Sequence, residues 1–172
     1  MQVPRQSPGL CRGILGGVEI TAPRREEFGY ALEIPTRWID NDVYGHVNNA
    51  VYLAFFDTVI NRYLIEVGGL DIHHGEVIGL CVESHCEYRA PIAFPQPVDA
   101  RLRVAALGRS SVRYEVGLFT SEPEPAAFGH FVHVFVARRT RRPQEAPPRL
   151  REALAAITEG PPVASTEARG RA

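Results

Sequence analysis

Apolar positions along the chain fall into one long helical run set among strand-like segments. Over residues 49–67 the order Asn-Ala-Val-Tyr-Leu-Ala-Phe-Phe-Asp-Thr-Val-Ile-Asn-Arg-Tyr-Leu-Ile-Glu-Val puts apolar side chains around nearly the whole circumference of a helix for its first three turns. A helix apolar on every side is buried rather than laid on a surface, so something must wrap it. Asn48 suits its N-cap, and Gly68-Gly69 suits its C-terminal stop.

Alternation with period two, rich in β-branched and aromatic residues, marks the wrapping material. Residues 30–38 form a first strand, and Pro35 within it argues for an edge or a bulge. Four more strands are expected at 76–88, 98–107, 112–120 and 127–138. Gly108-Arg109-Ser110-Ser111 and Ser121-Glu122-Pro123-Glu124-Pro125 are hairpin turns between them. Residues 148–157 read as a short helix that follows the last strand and covers an edge. The economical architecture is an antiparallel sheet curled around one helix. Its unpaired edges predict a second copy, a homodimer with a continuous sheet.

At 172 residues, 45% hydrophobic and 23% charged, the chain fits one globular domain. The domain is placed at residues 28–157, between tails at 1–27 and 158–172 that are rich in Pro, Gly and small or basic residues. A formal net charge of -1 gives no global attraction to nucleic acid or anionic lipid, so no such partner is expected. No run reaches the ~20 apolar residues of a membrane span, and the first residues lack the order of a secretory signal. A cytoplasmic location is the expectation. Cys11, Cys81 and Cys86 have no metal spacing. Cys81 and Cys86, five apart in a strand, should point to opposite faces and stay unpaired as buried thiols.

The chemistry concentrates in Asp40-Asn41-Asp42-Val43-Tyr44-Gly45-His46-Val47-Asn48-Asn49, where two carboxylates precede a Gly turn at the start of the long helix. A helix N-terminus presents unpaired amides and partial positive charge, so an acid beside one is a candidate catalytic group. The spacing superficially begins like a calcium loop. That reading fails because Tyr44 and Val51 stand where oxygen ligands are needed. His73-His74, near Asp71 and Glu76, also lacks ligand spacing and reads as a solvated loop.

That segment, followed by Tyr52 and Phe55-Phe56, resembles the hotdog-fold acyl-CoA thioesterases of the 4-hydroxybenzoyl-CoA thioesterase type. Tyr88-Arg89-Ala90-Pro91, the Gly108 to Ser111 turn and the stretch from Arg138 to Pro143 add to the resemblance, which covers about residues 30–142. It implies an α+β hotdog fold, a five-stranded antiparallel sheet wrapped around one long central helix, here with a short C-terminal helix. It also implies homodimers, often paired into homotetramers, with active sites at the dimer interface. Asp42 takes the place of the family's catalytic carboxylate, and Asn49 that of the residue whose N–H meets the thioester carbonyl. Ile60 stands where family members often carry a basic residue.

On that reading the substrate is an acyl-CoA thioester, with CoA part of the substrate, and neither a metal nor a cofactor is needed. Asp42 serves as nucleophile or as general base toward water. The Asn49 amide polarises the carbonyl. His46 positions the loop or the substrate, Asn48 caps the helix and is a candidate substrate contact, and Tyr52 is a second candidate substrate contact. Asp40 is read as a hydrogen-bonded turn residue. Arg109, Ser110 and Ser111 are candidates for the CoA phosphates, ahead of Arg113 and the arginines at 138–142. Two alternatives share the scaffold: a hydratase-dehydratase for enoyl or 3-hydroxyacyl thioesters that uses His46, and a non-catalytic acyl-thioester binding module.

Overall fold

The long helix α1, Asn49–Glu66, lies on one face of a five-stranded antiparallel sheet in the computed structural model, which describes residues 23–158. The strands are β1 (Tyr30–Ile34), β2 (Val77–Tyr88), β3 (Val98–Leu107), β4 (Ser111–Phe119) and β5 (Ala127–Ala137), and a second helix α2 spans Pro148–Ala156. Their order across the sheet is β1-β3-β4-β5-β2. Most of the two expected tails, residues 1–22 and 159–172, lies outside the described residues, as does Cys11.

The sheet covers α1 through Tyr52, Phe55, Phe56, Val59, Ile60, Tyr63 and Leu64, all buried. Each large side chain so removed from water contributes about 1.5–3 kcal/mol. The wrapping is less complete than the composition of the helix suggests. Ala50, Ala54, Asp57 and Thr58 remain exposed, so a small and polar strip of α1 faces away from the sheet. Ile60 sits fully inside the core.

At its C-terminus α1 is closed by Gly69 at φ 69°, with Gly69 N–H bonding to Ile65 O and Leu70 N–H to Leu64 O. Gly68 has a different reason to be Gly. A Cβ there would press into Leu150 of α2, a fully buried side chain. Tyr63 Oη donates to Ala153 O at 2.6 Å, fixing α2 against α1.

β1 is an edge strand, one of the two positions Pro35 argues for, but it stops at Ile34, before Pro35. Pro35 has no N–H to continue the ladder, and residues 38–40 turn into a 3-10 helix instead. Of the expected N-terminal tail, Arg25–Glu27 forms another 3-10 turn over the outer face of the sheet, where Arg25 donates to the carbonyls of Thr120 and Glu122. Phe28, Phe119 and Phe128 form a small apolar cluster there.

β2 departs from simple alternation. Its register with β5 shifts between Cys81 and Glu83, leaving Val82 as the extra residue of a bulge. The extra residue restores Cys81 and Cys86 to one face, opposite His133 and Gly129, rather than the opposite faces that unbroken alternation gives. They are free thiols, and Cys81 is exposed rather than buried.

Candidate active site

The loop that carries the two acids is folded by its own polar groups. Asp42 Oδ1 accepts from Tyr44 N–H at 2.8 Å, and Asp42 O accepts from Gly45 N–H at 3.0 Å, closing a tight turn. Gly45 holds φ 83°, a left-handed conformation that costs Gly little. On either side Asp42 N–H bonds to His46 O, Asn41 bridges Val47, and Asn48 N–H reaches Asp40 O at 2.8 Å. These contacts fold the loop back on itself, with Asp40 opposite Asn48 at the helix start and Asp42 opposite His46 at the turn.

Asp40 and Asp42 play different parts. The Asp40 carboxylate is 1% exposed and accepts from Arg37 N–H, Nε–H and Nη2–H at 2.7, 3.0 and 2.7 Å. Burial pushes its pKa up, but the Arg37 hydrogen bonds and charge outweigh burial and hold it below the usual carboxylate range. Asp42 is only half-buried, and one oxygen serves the Tyr44 amide.

The start of α1 offers one uncommitted donor. Asn48 Oδ1 takes Ala50 N–H at 3.0 Å, and Asn48 O takes Val51 N–H. Asn49 N–H makes no hydrogen bond within the described residues, and Asn49 is exposed. Asn48 is thus the cap its sequence position suggests. His46 contributes its backbone carbonyl to the turn, and its side chain is half-exposed.

Tyr52 lies beneath this surface. It is buried, its Oη accepts from Ile92 N–H at 3.3 Å, and its ring meets Tyr88 edge-on at 5.1 Å. Burial raises its pKa, and Cys86, Tyr88 and Asp42 add to the rise. Tyr88 Oη in turn donates to Asn49 O at 3.1 Å, tying the end of β2 to the first turn of α1. Asn41 Oδ1 accepts from Phe94 N–H, docking the loop on the segment before β3. Tyr88 and Asn41 both stand in the resembling motifs, but only tertiary pairing shows what they hold.

Arg109, Ser110 and Ser111 are not brought to this place. They form the β3–β4 turn, with Gly108 N–H bonded to Ser111 O and Ser110 O to Phe135 N–H. β3 begins at Val98, beside Ile34 and near the acidic loop, and its ten residues carry the chain about 33 Å away before the turn. Of the other arginines, Arg113 pairs with His130 and Glu83, and Arg138 donates to Gly75 O and Ile72 O. His73 and His74 give their amides to Asp71, consistent with a plain loop. Among the described residues no cluster of three or more His, Cys, Asp or Glu is placed to hold a metal ion. No helix among them is long and apolar enough to cross a membrane.

Trp38, Ile39, Val43 and Tyr44 project from the loop and are strongly exposed. Trp38 stands edge-on to Phe94 at 5.8 Å. Together these side chains give the loop an exposed apolar rim.

A family model described as the thioesterase-like superfamily matches residues 35–154. Among solved structures, the PA5185 protein of Pseudomonas aeruginosa strain PAO1 is 59% identical, with 79% of this chain and 96% of that one covered and a TM-score of 0.77. A thioesterase from Thermus thermophilus, solved in complex with coenzyme A and Zn, is 30% identical over 77% of this chain and 96% of its own, with a TM-score of 0.64. The DHNA-CoA thioesterase from Staphylococcus aureus is 21% identical over 74% of this chain and 89% of its own and shares the fold, with a TM-score of 0.66. A comparison with curated proteins finds no match.

Proposed function

The chain belongs to the thioesterase-like superfamily, with the hotdog architecture described above, and on that premise we propose that it hydrolyses an acyl-CoA thioester at Asp42 and the start of α1. The observation that carries this reading is the free Asn49 N–H on the first residue of an 18-residue helix, at the end of the same loop that presents the half-exposed Asp42 carboxylate. The amide and the helix dipole stabilise negative charge as it develops on the carbonyl oxygen. Asp42 either attacks the carbonyl carbon, giving a mixed anhydride that water then cleaves, or takes a proton from the water that attacks. Both routes expel the CoA thiolate, which needs little protonation because a free thiol has a pKa of about 8.5. We assign His46 to positioning the loop, where its backbone carbonyl accepts from Asp42 N–H, rather than to proton transfer.

The working unit in this reading is a homodimer. β2 is a 12-residue edge strand with an open side, and Leu80 and Val82 on it are exposed. Pairing β2 with a second β2 satisfies that edge and brings another copy toward the exposed Trp38 and Tyr44. Arg109, Ser110 and Ser111, too distant for their own site, are then assigned to CoA bound at the other copy's site.

Asn49→Pro, compared with Asn49→Ala to account for the lost side chain, tests the amide. Pro is tolerated at the first helical position, and Asn48 at φ -59° and ψ 139° has the extended backbone that a following Pro demands. With the N–H removed, kcat for acyl-CoA should fall by about 100-fold or more while the unfolding midpoint stays within the ordinary range of a surface change. Unchanged kcat would remove the amide from the mechanism.

A further inference from the structure

Asn49 is the first residue of α1, and a first turn is the least restrained part of a helix. The cap holds its neighbours rather than Asn49 itself: Asn48 Oδ1 takes Ala50 N–H, and Asn48 O takes Val51 N–H. Outside its own helix Asn49 makes one hydrogen bond among the described residues, in which its carbonyl accepts from Tyr88 Oη at 3.1 Å. An amide that is to meet a reacting carbonyl must be held within about 0.5 Å of its working place. The Tyr88 bond is the restraint that acts on Asn49 directly.

Tyr88 is itself firmly held. It sits in the last pair of the β2–β5 ladder, opposite Ala127, and the next two amides, Arg89 N–H and Ala90 N–H, both bond to Ala126 O at 2.8 and 3.0 Å. Its ring meets Tyr52 edge-on at 5.1 Å, and Tyr52 is buried and takes Ile92 N–H at 3.3 Å. Ile92 O accepts from Val47 N–H at 2.7 Å, so the segment that fixes Tyr52 also fixes the end of the acidic loop. The Cys86 thiol, two residues earlier on the same side of β2, hydrogen-bonds the Tyr88 hydroxyl. Burial pushes that thiol up to about 11, so it stays protonated and can donate while the hydroxyl proton goes to Asn49 O.

Backbone geometry carries the restraint to the N–H. Only two soft dihedrals, φ and ψ, separate the Asn49 N–H from the Asn49 carbonyl. Asn48, pinned through its own N–H to Asp40 O at 2.8 Å, holds the peptide on one side, and Tyr88 holds the carbonyl on the other. With both ends held, the N–H keeps one direction. A change at Tyr88 is therefore felt at the amide even though the Tyr88 hydroxyl is occupied by protein atoms.

We propose that Tyr88 is a positioning residue for thioester cleavage: its hydroxyl holds Asn49 O and thereby aims the Asn49 N–H at the substrate carbonyl. The bond is made within one chain, so a second copy paired along the outer edge of β2 leaves it in place. The role rests on the reading that the Asn49 amide serves the carbonyl.

Tyr88→Phe removes one oxygen and keeps the ring against Tyr52. Thiol release by the full chain is followed with butyryl-, dodecanoyl- or benzoyl-CoA, whichever the wild type turns over fastest. Rates per mole of folded protein, the folded fraction taken from circular dichroism, are compared for wild type, Tyr88→Phe, Asn49→Pro and the double variant. Tyr88→Phe should lower kcat about tenfold and leave KM within about twofold, since what is lost is aim rather than binding. In the Asn49→Pro background, where no N–H remains to be aimed, the same change should cost nothing further. Wild-type kcat in Tyr88→Phe, with Asn49→Pro impaired, would overturn the positioning role alone. So would an equal fall in both backgrounds, the mark of a hydroxyl that acts independently of the amide. Wild-type kcat in Asn49→Pro, or no thiol release from any of the three substrates by the wild type, would overturn the reading of the amide and the role of Tyr88 together.

Discussion

Asp40 and Asp42 stand two positions apart in one loop, yet the fold treats them in contrary ways. Asp40 is turned inward, where every donor of the Arg37 backbone and guanidinium that can reach it is spent on its two oxygens. Asp42 is half-exposed, and its carboxylate takes one backbone hydrogen bond, from Tyr44 N–H. A carboxylate whose bonding capacity is filled by its own chain holds structure, whereas one left with free capacity at the surface is available to a substrate. The difference comes from the 3-10 turn over Trp38–Asp40, which puts Asp40 at its third position and closes it back on Arg37.

The widest separation between the two should appear in Asp42→Asn. Removing the negative charge while keeping the shape should lower kcat at least about 100-fold, the low end for a positioned catalytic group. The side-chain oxygen of Asn still accepts from Tyr44 N–H, so Tm should scarcely move. Thiol release under saturating acyl-CoA and a thermal melt measure the two quantities. A large fall in Tm with kcat retained would make Asp42 a second Asp40.

Asp40→Ala should show the reverse pattern. It strips three hydrogen bonds to a carboxylate, and with bonds to charged groups worth about 1.5–3 kcal/mol each before screening, a loss of about 2–3 kcal/mol in all is expected because Arg37 itself is largely exposed. The pH dependence has a definite sign. The folded pKa of Asp40 lies below its unfolded value of about 3.9. Its contribution is therefore fully present above that unfolded value and is lost as pH falls through the folded one. Denaturant melts from pH 6 down to about 2 should converge for wild type and variant at the acid end. A gap that stays constant over that range would show that the ionised form of Asp40 carries none of the stability.

Much of this contrast could be read from the chain beforehand, because its signals are local. Strand ends were fixed within a residue or two by turn residues such as Gly108 and Pro123, and the helix by Asn48 and Gly69, each acting on its immediate neighbours. What escaped was set by pairing at long range. The Val82 bulge exists only in register with β5, and it reverses the facing of Cys81. Pro35 ended β1 early where an edge or bulge alone was expected, since the missing N–H also lets residues 38–40 coil. The uncovered strip of α1 depends on how far the sheet reaches around it. Likewise Arg109 has a suitable side chain for phosphate, but its place at the distant end of β3 follows from topology rather than from composition.

Asn48 is bonded to one of the two acids and caps the helix that follows, and it gives the finest comparison. Its N–H bonds to Asp40 O, and its side chain caps the helix whose first amide is offered to the substrate. Asn48→Ala keeps the backbone bond and removes only the cap, so it should cost about 1 kcal/mol of stability. The freed Ala50 N–H then lies one residue from the Asn49 amide and competes with it for the same negative charge, which disturbs the carbonyl contact without abolishing it. A fall in kcat of less than about tenfold is expected, much smaller than for Asp42→Asn, together with a measurable drop in Tm. If kcat instead falls as far as in Asp42→Asn while Tm holds, the Asn48 side chain contacts the reacting group, and the boundary between structural and chemical residues in this loop moves from Asp42 to include the cap.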